Sequence, residues 1–320
     1  MLSLAYVARR LVAAAVTILV AVTLNFFLFR VLPGNAVTHI ARIPNASAEM
    51  RRALEVKFGL DKPIWEQFLI YLREMAHGNL GISYANRQPV FDNLLEAFSN
   101  TIPMVTTGVV LALALGLVVG TIAATRRNGL SDHLLTGSAV LAYAFPTQFL
   151  GLMMVIFFSG LLPAAGMADP FLLTDSGWEI MQDRLLHMIL PVTTLVLTLY
   201  AENALITRSS MLETMGEDYI LTARAKGVPR RRIILRHALR NALLPIVTMS
   251  ALSLGSIVSG AILVEVIFSW PGIGRTLYEA VLNRDYPMLQ GGFLAITAVV
   301  TLLNLAADLL HFVLDPRVRA

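Results

Sequence analysis

The chain of 320 residues contains no cysteine, which excludes disulfides and metal sites with thiolate ligands. Charged residues are also scarce, at 14% of the chain compared with about a quarter in soluble proteins. A soluble chain of this length needs a charged surface over its packed cores, and these charges are too few to supply one. Their scarcity excludes a water-soluble globular protein.

Several sequence motifs of enzyme chemistry are absent as well. The sequence has no Gly-x-x-x-x-Gly-Lys-Ser/Thr phosphate-binding loop, no Gly-x-Ser-x-Gly motif and no His-Glu-x-x-His pair. The six histidines are scattered without the spacing of metal ligands. These absences predict a chain that has no catalytic residues, binds no cofactor or metal, and does not hydrolyse a nucleotide itself.

Apolar residues make up 56% of the chain and fall in long runs. Crossing about 30 Å of hydrocarbon takes about 20 apolar residues of helix. The segments that meet this length are Leu11–Phe29, Pro103–Thr125, Leu134–Leu161, His187–Ile206, Leu243–Val266 and Gly291–Val313. The sequence therefore predicts an all-α, polytopic membrane protein with six transmembrane helices.

The basic residues predict the orientation of these spans, because short cytoplasmic loops are enriched in Lys and Arg. With the N-terminus inside, the inner segments hold Arg9, Arg10, Arg126, Arg127, the run from Arg208 to Arg240, Arg317 and Arg319. The short outer loops then hold only Arg184, Arg275 and Arg284. This asymmetry predicts cytoplasmic termini in an inner membrane. The basic residues lie at the edges of apolar runs without interleaved aromatics, which argues against nucleic acid as a partner.

Two other topologies are disfavoured. A cleaved signal peptide would end in small residues, whereas the first run ends in the bulky residues 25–30, so we expect an uncleaved anchor. A seventh span at residues 208–242 would bury eight cations at about 2.5–3.5 kcal/mol each. That segment is therefore expected in water.

The predicted organisation is an anchor helix at residues 1–30, an extracytoplasmic helical insertion at 31–93, a five-helix core at 94–313 and a tail at 314–320. Short amphipathic helices are predicted in the insertion at 47–58 and 63–76, bounded by cap and stop residues. These helices could form a lid on the spans or a platform for an extracellular partner, and both interpretations stay open.

Polar residues inside predicted spans are candidates for function. They are Asn25, Glu202, Asn203 and Asp308. Glu202 and Asp308 lie near the inner side, where pairing with an arginine is as good an interpretation as contact with a solute. A proton-coupled carrier would need several carboxylates near the middle of the membrane, so this sequence disfavours an ion-coupled secondary transporter. The lack of converging polar groups disfavours a membrane-embedded enzyme.

The segment from Glu217 to Pro229 carries the most informative pattern. Glu217 and Asp218 suit a helix start, and Gly227 and Pro229 suit a stop, so a helix of two turns is expected on the cytoplasmic side. Its small residues allow close approach of another backbone, and its two apolar residues could form a foot. We predict docking into a soluble partner by Glu217, Asp218, Tyr219, Ile220, Thr222, Ala223, Arg224, Ala225, Lys226 and Gly227.

This segment resembles the cytoplasmic coupling motif in permeases of ATP-binding-cassette importers, in the dipeptide, oligopeptide and nickel branch. The residues that carry the resemblance are Tyr219–Gly227 and, downstream, 237–245. The broader superfamily pattern Glu-Ala-Ala-x-x-x-Gly is matched in part, because Leu221 and Thr222 replace the Glu and the first Ala. The branch shares these departures. Further similarity lies at Phe58–Pro63, Gly78–Ser83, Phe268–Gly274, Arg284–Pro287 and Leu314–Arg317.

The resemblance implies a type I importer permease fold and a set of partners. These are a homologous second permease subunit, two cytoplasmic ATPases that bind ATP and magnesium, an extracytoplasmic solute-binding protein and the lipid bilayer. It also implies import of peptides or peptide-like solutes, with a nickel chelate, glutathione and an oligosaccharide as alternatives. An arginine at Ala223 or Gly227 is expected to uncouple transport while the protein still inserts.

A second candidate site is the turn at Ser269–Gly274, predicted at the outer mouth. Its candidate residues are Trp270, Pro271 and Gly272. Trp270 could be an interfacial anchor or a contact for a delivering protein, and the sequence does not decide between them. Pore-lining residues are not predicted, because helix rotation is set by packing.

Overall fold

The computed structural model describes residues 4–31, 62–243, 246 and 261–314. The regular elements among them are helices, with one isolated antiparallel bridge between Ile82 and Pro89. The longer helices are α1 (Leu4–Val31), α2 (Ile64–Ala76), α3 (Val90–Thr125), α4 (Leu130–Ala144), α5 (Thr147–Phe158), α6 (Gly177–Met215), α7 (Asp218–Ala225), α8 (Ile273–Leu282) and α9 (Tyr286–Leu314). This confirms the all-α prediction.

Two shorter helical segments follow α7. An α-turn at Arg230–Arg232 continues into a π-helix at Ile233–Ala238, and residues 239–243 are again α-helical. Residues 261–267 form a further helical stretch. The predicted span Leu243–Val266 and the predicted helix at 47–58 lie largely or wholly outside the described residues. The predicted helix at 63–76 is confirmed by α2.

Four of the described helices are long and apolar enough to cross a membrane. They are α1, α3, α6 and α9, and each contains one predicted span. α3 begins at Val90, so the predicted domain boundary at residue 93 falls within its first turn. At 36 residues, α3 is about 54 Å long, well beyond the hydrocarbon thickness.

The predicted span Leu134–Leu161 is not one continuous helix. It consists of α4 and α5, which are bent by 101° at their junction. Phe145 there is extended, with φ −83° and ψ 132°, and Pro146 follows. Proline disfavours helical geometry in the residue before it and has no N–H to donate, so the break is encoded locally. Together the pair forms a fifth candidate span.

The chain divides into two compact units. One comprises Met1–Val7, Asn100–Arg275 and Leu303–Ala320, and the other Ala8–Ser99 and Thr276–Leu302. In the first unit, α3 packs closely on α6 through small residues at every fourth position: Gly108, Ala112, Gly116 and Gly120. A Cβ on Gly116 or Gly120 would lie 2.5 Å from atoms of α6. Such small-residue faces let transmembrane backbones approach each other.

In the second unit, an aromatic cluster joins α1 to α2. Phe26 lies 5.2 Å from Phe68 and 5.3 Å from Tyr71, between ring centroids. Phe29 packs on Tyr286 and Phe293 of α9. Rings at these separations in edge and tilted arrangements stabilise packing beyond the area they bury. α2 is therefore packed on α1, a candidate membrane span of its own unit.

Candidate functional site

The capped helix predicted from the sequence is α7, at Asp218–Ala225. Gly227 has φ +72°, a conformation that costs glycine little. The Gly227 N–H donates to Arg224 O at 3.0 Å, and the Val228 N–H donates to Ala223 O at 3.2 Å. These two bonds form a Schellman motif, which ends the helix. Both predicted boundaries of α7 are confirmed.

The inner face of α7 is packed against its own chain. The side chain of Ile220 is fully buried and that of Ala223 is 8% exposed. They belong to an apolar cluster, here called the inner cluster, whose buried members are Ala124, Met211, Ile220, Ala223, Ile233, Ala238 and Ala242. The cluster joins α7 to the end of α3, the end of α6 and the helical segment at 230–243.

This packing bears on two of the residues predicted to dock. Ile220 and Ala223 were expected to face a partner, as an apolar foot and a low surface. Both side chains are instead buried within the chain, where they pack α7 against the inner cluster. The spacing i, i+3 places the two residues on one helix face. Sequence pattern alone did not show which face is turned inward.

The outer face of α7 holds a residue that the sequence analysis omitted. Leu221 is 54% exposed and Tyr219 is 39% exposed, so these two form the apolar surface of the helix. The remaining predicted docking residues are exposed around them: Glu217, Asp218, Thr222, Arg224, Ala225, Lys226 and Gly227. Large exposed apolar side chains on an otherwise charged helix are typical of an interaction surface. Leu221 was recognisable as the apolar residue that replaces the Glu of the superfamily pattern.

Two polar contacts hold α7 and its flanking segment in place. The Asn241 amide donates to the Tyr219 hydroxyl at 2.7 Å, across the exposed face. Arg230 donates from Nη2 to the backbone carbonyl of Thr125 at 2.7 Å. Thr125 ends α3, so Arg230 satisfies one of the carbonyls that a helix end leaves free. These directional hydrogen bonds fix the orientation of α7 and its flanking segment, in addition to the apolar packing of the inner cluster.

A partly buried ion pair joins α4 to α6 in the same unit. The Arg208 guanidinium contacts both carboxylate oxygens of Asp132, with Nε–Oδ1 at 2.7 Å and Nη2–Oδ2 at 2.8 Å. Asp132 also accepts from the Asn128 N–H and the Thr136 hydroxyl, both at 3.0 Å. Such bidentate pairs are strong and geometrically specific. The sequence analysis treated Arg208 only as a topology signal, because the partner is 76 positions away.

We expect Asp132→Asn to weaken the attachment of α4 to α6. The substitution keeps the size of the side chain but removes the charge, leaving the partly buried Arg208 without its counter-ion. Charge-assisted hydrogen bonds of this kind contribute about 1.5–3 kcal/mol. Thermal unfolding of the purified protein in detergent should show a lower midpoint than wild type. Asp218→Asn, at an exposed carboxylate in the first turn of α7, is the control and should lower the midpoint much less, because a charge at an exposed helix start contributes about 0.3–1 kcal/mol.

The predicted outer-mouth residues adopt a compact turn. The Trp270 side chain is 2% exposed and packs with Met104, Leu190 and Phe268. Its indole N–H donates to Asn100 O at 3.0 Å. The structure thus places the Trp270 side chain in the core of its unit. Pro271 is exposed, and Gly272 is buried.

Besides Asp132, two further buried carboxylates were missed by the sequence analysis. Glu265 is fully buried and Asp285 is 1% exposed. Asp285 accepts a hydrogen bond from the Ser83 hydroxyl at 2.5 Å and from the Met288 N–H at 3.2 Å, so it caps the start of α9. Glu265 lies in the predicted span Leu243–Val266, and Asp285 lies in Arg284–Pro287, one of the segments that carry the family resemblance. A carboxylate at the end of an apolar run was the available signal for Glu265.

The polar residues predicted as candidates inside spans have mainly structural contacts. The Asn25 amide donates to Gln290 O at 2.8 Å, and the Asn203 amide donates to Leu199 O on its own helix at 2.9 Å. Asp308 accepts a bond at its backbone carbonyl from the Tyr6 hydroxyl at 3.5 Å. Glu202 and Asp308 are half-buried.

Two family profiles together match nearly the whole chain. Residues 116–320 match the profile described as "Binding-protein-dependent transport system inner membrane component". Residues 3–105 match that of the N-terminal part of such membrane components. The inner cluster and α7 lie within the first match.

Curated relatives are similar over the full length. The chain is 40% identical to the dipeptide transport system permease protein DppB of Escherichia coli K12, covering 99% of both chains. It is 37% identical to the di/tripeptide permease DppB of Pseudomonas aeruginosa, again covering 99% of both. It is also 37% identical to the glutathione permease GsiC of E. coli K12, covering 98% of both.

A solved structure agrees in fold. The inward-facing MetNI methionine ABC transporter matches with a TM-score of 0.57 at 16% identity, covering 70% of this chain and 96% of that one. At this identity the match concerns the arrangement of helices alone.

Proposed function

The chain belongs to the family of binding-protein-dependent transport inner-membrane components, and we propose that its helix α7 is the surface through which a separate ATPase drives transport. The chain is a permease subunit of an ATP-driven importer of peptide-type solutes, and it is a transport subunit rather than an enzyme.

The observation that supports this role is the two-sided construction of α7. One face is buried in the inner cluster, which includes the ends of α3 and α6. The other face exposes Tyr219 and Leu221 among charged residues. A helix anchored on one side and apolar on the other can transmit a displacement, because the packed cluster does not deform continuously. A loop whose basic residues only set the orientation of the spans would need neither a buried face nor an exposed apolar face.

We further propose the partners and the location. Two cytoplasmic ATPases bind ATP and magnesium and dock on α7 and on the equivalent helix of a homologous second permease. An extracytoplasmic binding protein delivers the solute at the outer mouth. The complex lies in a bacterial inner membrane with both termini of this chain in the cytoplasm, as the arginine distribution indicates.

For the solute, we propose small peptides. The relatives named above transport dipeptides, di- and tripeptides, and glutathione. Glutathione is itself a peptide-like molecule, so these names share one chemical class. Nickel chelates and oligosaccharides, which the sequence left open, have no support among these relatives.

Reconstitution tests this function directly. The chain is co-expressed and co-purified with the second permease and the ATPases that neighbouring genes encode. The complex is placed in vesicles, with the binding protein and labelled dipeptide outside. Accumulation is expected with ATP inside and not with a non-hydrolysable analogue. A matched set of vesicles lacks only the ATPases.

Two outcomes would contradict the proposal. Accumulation that needs an ion gradient but no ATPase would identify an ion-coupled carrier instead. Accumulation that needs ATP but is unchanged when α7 is disrupted would leave transport intact and remove α7 as the driven surface. Competition by unlabelled glutathione or an oligosaccharide would define the solute class.

A further inference from the structure

The Glu265 carboxylate is held at the end of the helical stretch at 261–267 by three donors. The Thr101 hydroxyl donates to Oε1 at 2.6 Å. The N–H groups of Gly274 and Arg275, at the start of α8, donate to Oε2 at 2.7 Å and 3.1 Å. Glu265 is fully buried, so these three hydrogen bonds take the place of the hydration that the carboxylate loses on burial. The carboxylate thereby joins three elements: α3, the stretch at 261–267 and α8.

The turn at Ser269–Gly274, called here the Trp270 turn, is tied to α3 by further bonds. The Thr101 hydroxyl, besides donating to Glu265, accepts from the Ile273 N–H at 2.9 Å. The Asn100 amide donates to Pro271 O at 2.9 Å, while Asn100 O accepts from the Trp270 indole. The Trp270 N–H donates to the Glu265 carbonyl at 2.8 Å. Thr101 and Asn100 therefore hold the turn from two adjacent positions of α3.

The glycine of the Trp-Pro-Gly sequence is required by this arrangement. A Cβ on Gly272 would lie 2.4 Å from both Glu265 Oε1 and Thr101 Oγ1. No side chain fits at that distance, so any residue other than glycine would separate the two oxygens from the turn. The short sequence motif is thus explained by its contact with a buried carboxylate and a hydroxyl.

The other end of α3 lies in the inner cluster. Ala124 is buried there against residues of α7, and the Thr125 carbonyl accepts from Arg230. The 24 positions from Thr101 to Thr125 span about 36 Å of helix. One helix therefore contacts the driven surface at one end and the Trp270 turn at the other, within a single compact unit.

We propose that Glu265 and Thr101 form a latch that fixes the Trp270 turn to α3, so that a displacement of α7 is carried along α3 to the turn. Both are positioning residues, because they act through the turn and not on the solute. The inference rests on the proposed function of α7 as the driven surface. It predicts that the turn and α3 move as one body during transport.

Substitution at Thr101 tests the latch. Thr101→Val removes the hydroxyl and keeps the shape, whereas Thr101→Ser keeps the hydroxyl. In the reconstituted complex, Thr101→Val is expected to lower the number of peptides imported per ATP about tenfold, within the usual range of coupling between sites. ATPase turnover should persist, the KM for peptide should stay unchanged, and Thr101→Ser should restore the ratio to near wild type.

A merely structural role would give a different result. It would lower the yield and the unfolding midpoint of Thr101→Val and leave the ratio of peptide to ATP unchanged in the folded fraction. An unchanged ratio of peptide to ATP in Thr101→Val would overturn the latch. So would a fall of the ratio in Thr101→Ser as large as that in Thr101→Val. If the wild-type complex imports no peptide, the proposed function itself has failed, which is a separate outcome.

A covalent tie provides a second test that does not depend on weakening the fold. The chain has no cysteine, so an Asn100→Cys, Pro271→Cys pair is the sole site for a disulfide within it. Oxidation in the reconstituted complex should leave import within about twofold of the reduced form, because the latch already holds the two segments together. Import that stops on oxidation and returns on reduction would show that the turn must move against α3.

Discussion

Replacing Leu221 with aspartate is expected to reduce ATP-driven import at least tenfold while leaving insertion and folding unchanged. Leu221 is 54% exposed on the face of α7 that the inner cluster leaves free. Burying a leucine side chain in an interface contributes about 1.5–3 kcal/mol, and a carboxylate in its place must be desolvated without a partner. A loss of about 1.4 kcal/mol already weakens binding tenfold.

The measurement separates docking from folding. ATPase retention is measured by co-purification, import by vesicle uptake, and folding by the unfolding midpoint of the isolated chain. Leu221→Met, which keeps an apolar side chain of similar volume, is the matched control and should retain both ATPase and import. If Leu221→Asp retains the ATPases and imports at the wild-type rate, α7 is not the docking surface.

Arginine at position 223 is expected to destabilise the protein, whereas arginine at position 225 is not. Both positions are alanines of α7, but Ala223 is buried in the inner cluster and Ala225 is exposed. An unpaired charge among apolar side chains costs about 3–5 kcal/mol. A change of that size is a large part of the stability of a typical domain. The sequence predicted uncoupling with normal insertion for Ala223→Arg, and the burial of Ala223 adds a loss of stability to that expectation.

The two arginine variants are compared in one experiment. Ala223→Arg should lower the unfolding midpoint and the yield of dispersed protein. Ala225→Arg should unfold like wild type but lose the ATPases, because its long side chain projects from the outer face. Equal unfolding midpoints for the two variants would mean that the faces of α7 are not distinguished as described.

The sequence determined the class of protein and the ends of its helices to a large extent. Runs of about 20 apolar residues have no other stable place than a bilayer, so four predicted spans reappear within α1, α3, α6 and α9. The start and stop of α7 were equally local, because caps depend on neighbouring residues. The break at Pro146 is equally local, because the proline itself disfavours a continuous helix, although the sequence analysis predicted a single span there.

Only the tertiary structure decided which side chains face a partner and which face the core. Eight residues of mixed polarity in α7 have no strong apolar periodicity, so the inward direction of Ile220 and Ala223 depends on Met211, Ile233 and other residues outside the helix. Likewise, the structural role of Glu265 depends on its hydrogen bond with Thr101, which lies 164 positions earlier. Hydrogen bonds and packing between distant positions follow from the arrangement of the helices. Local sequence encodes where each helix begins and ends, and not which neighbours it meets.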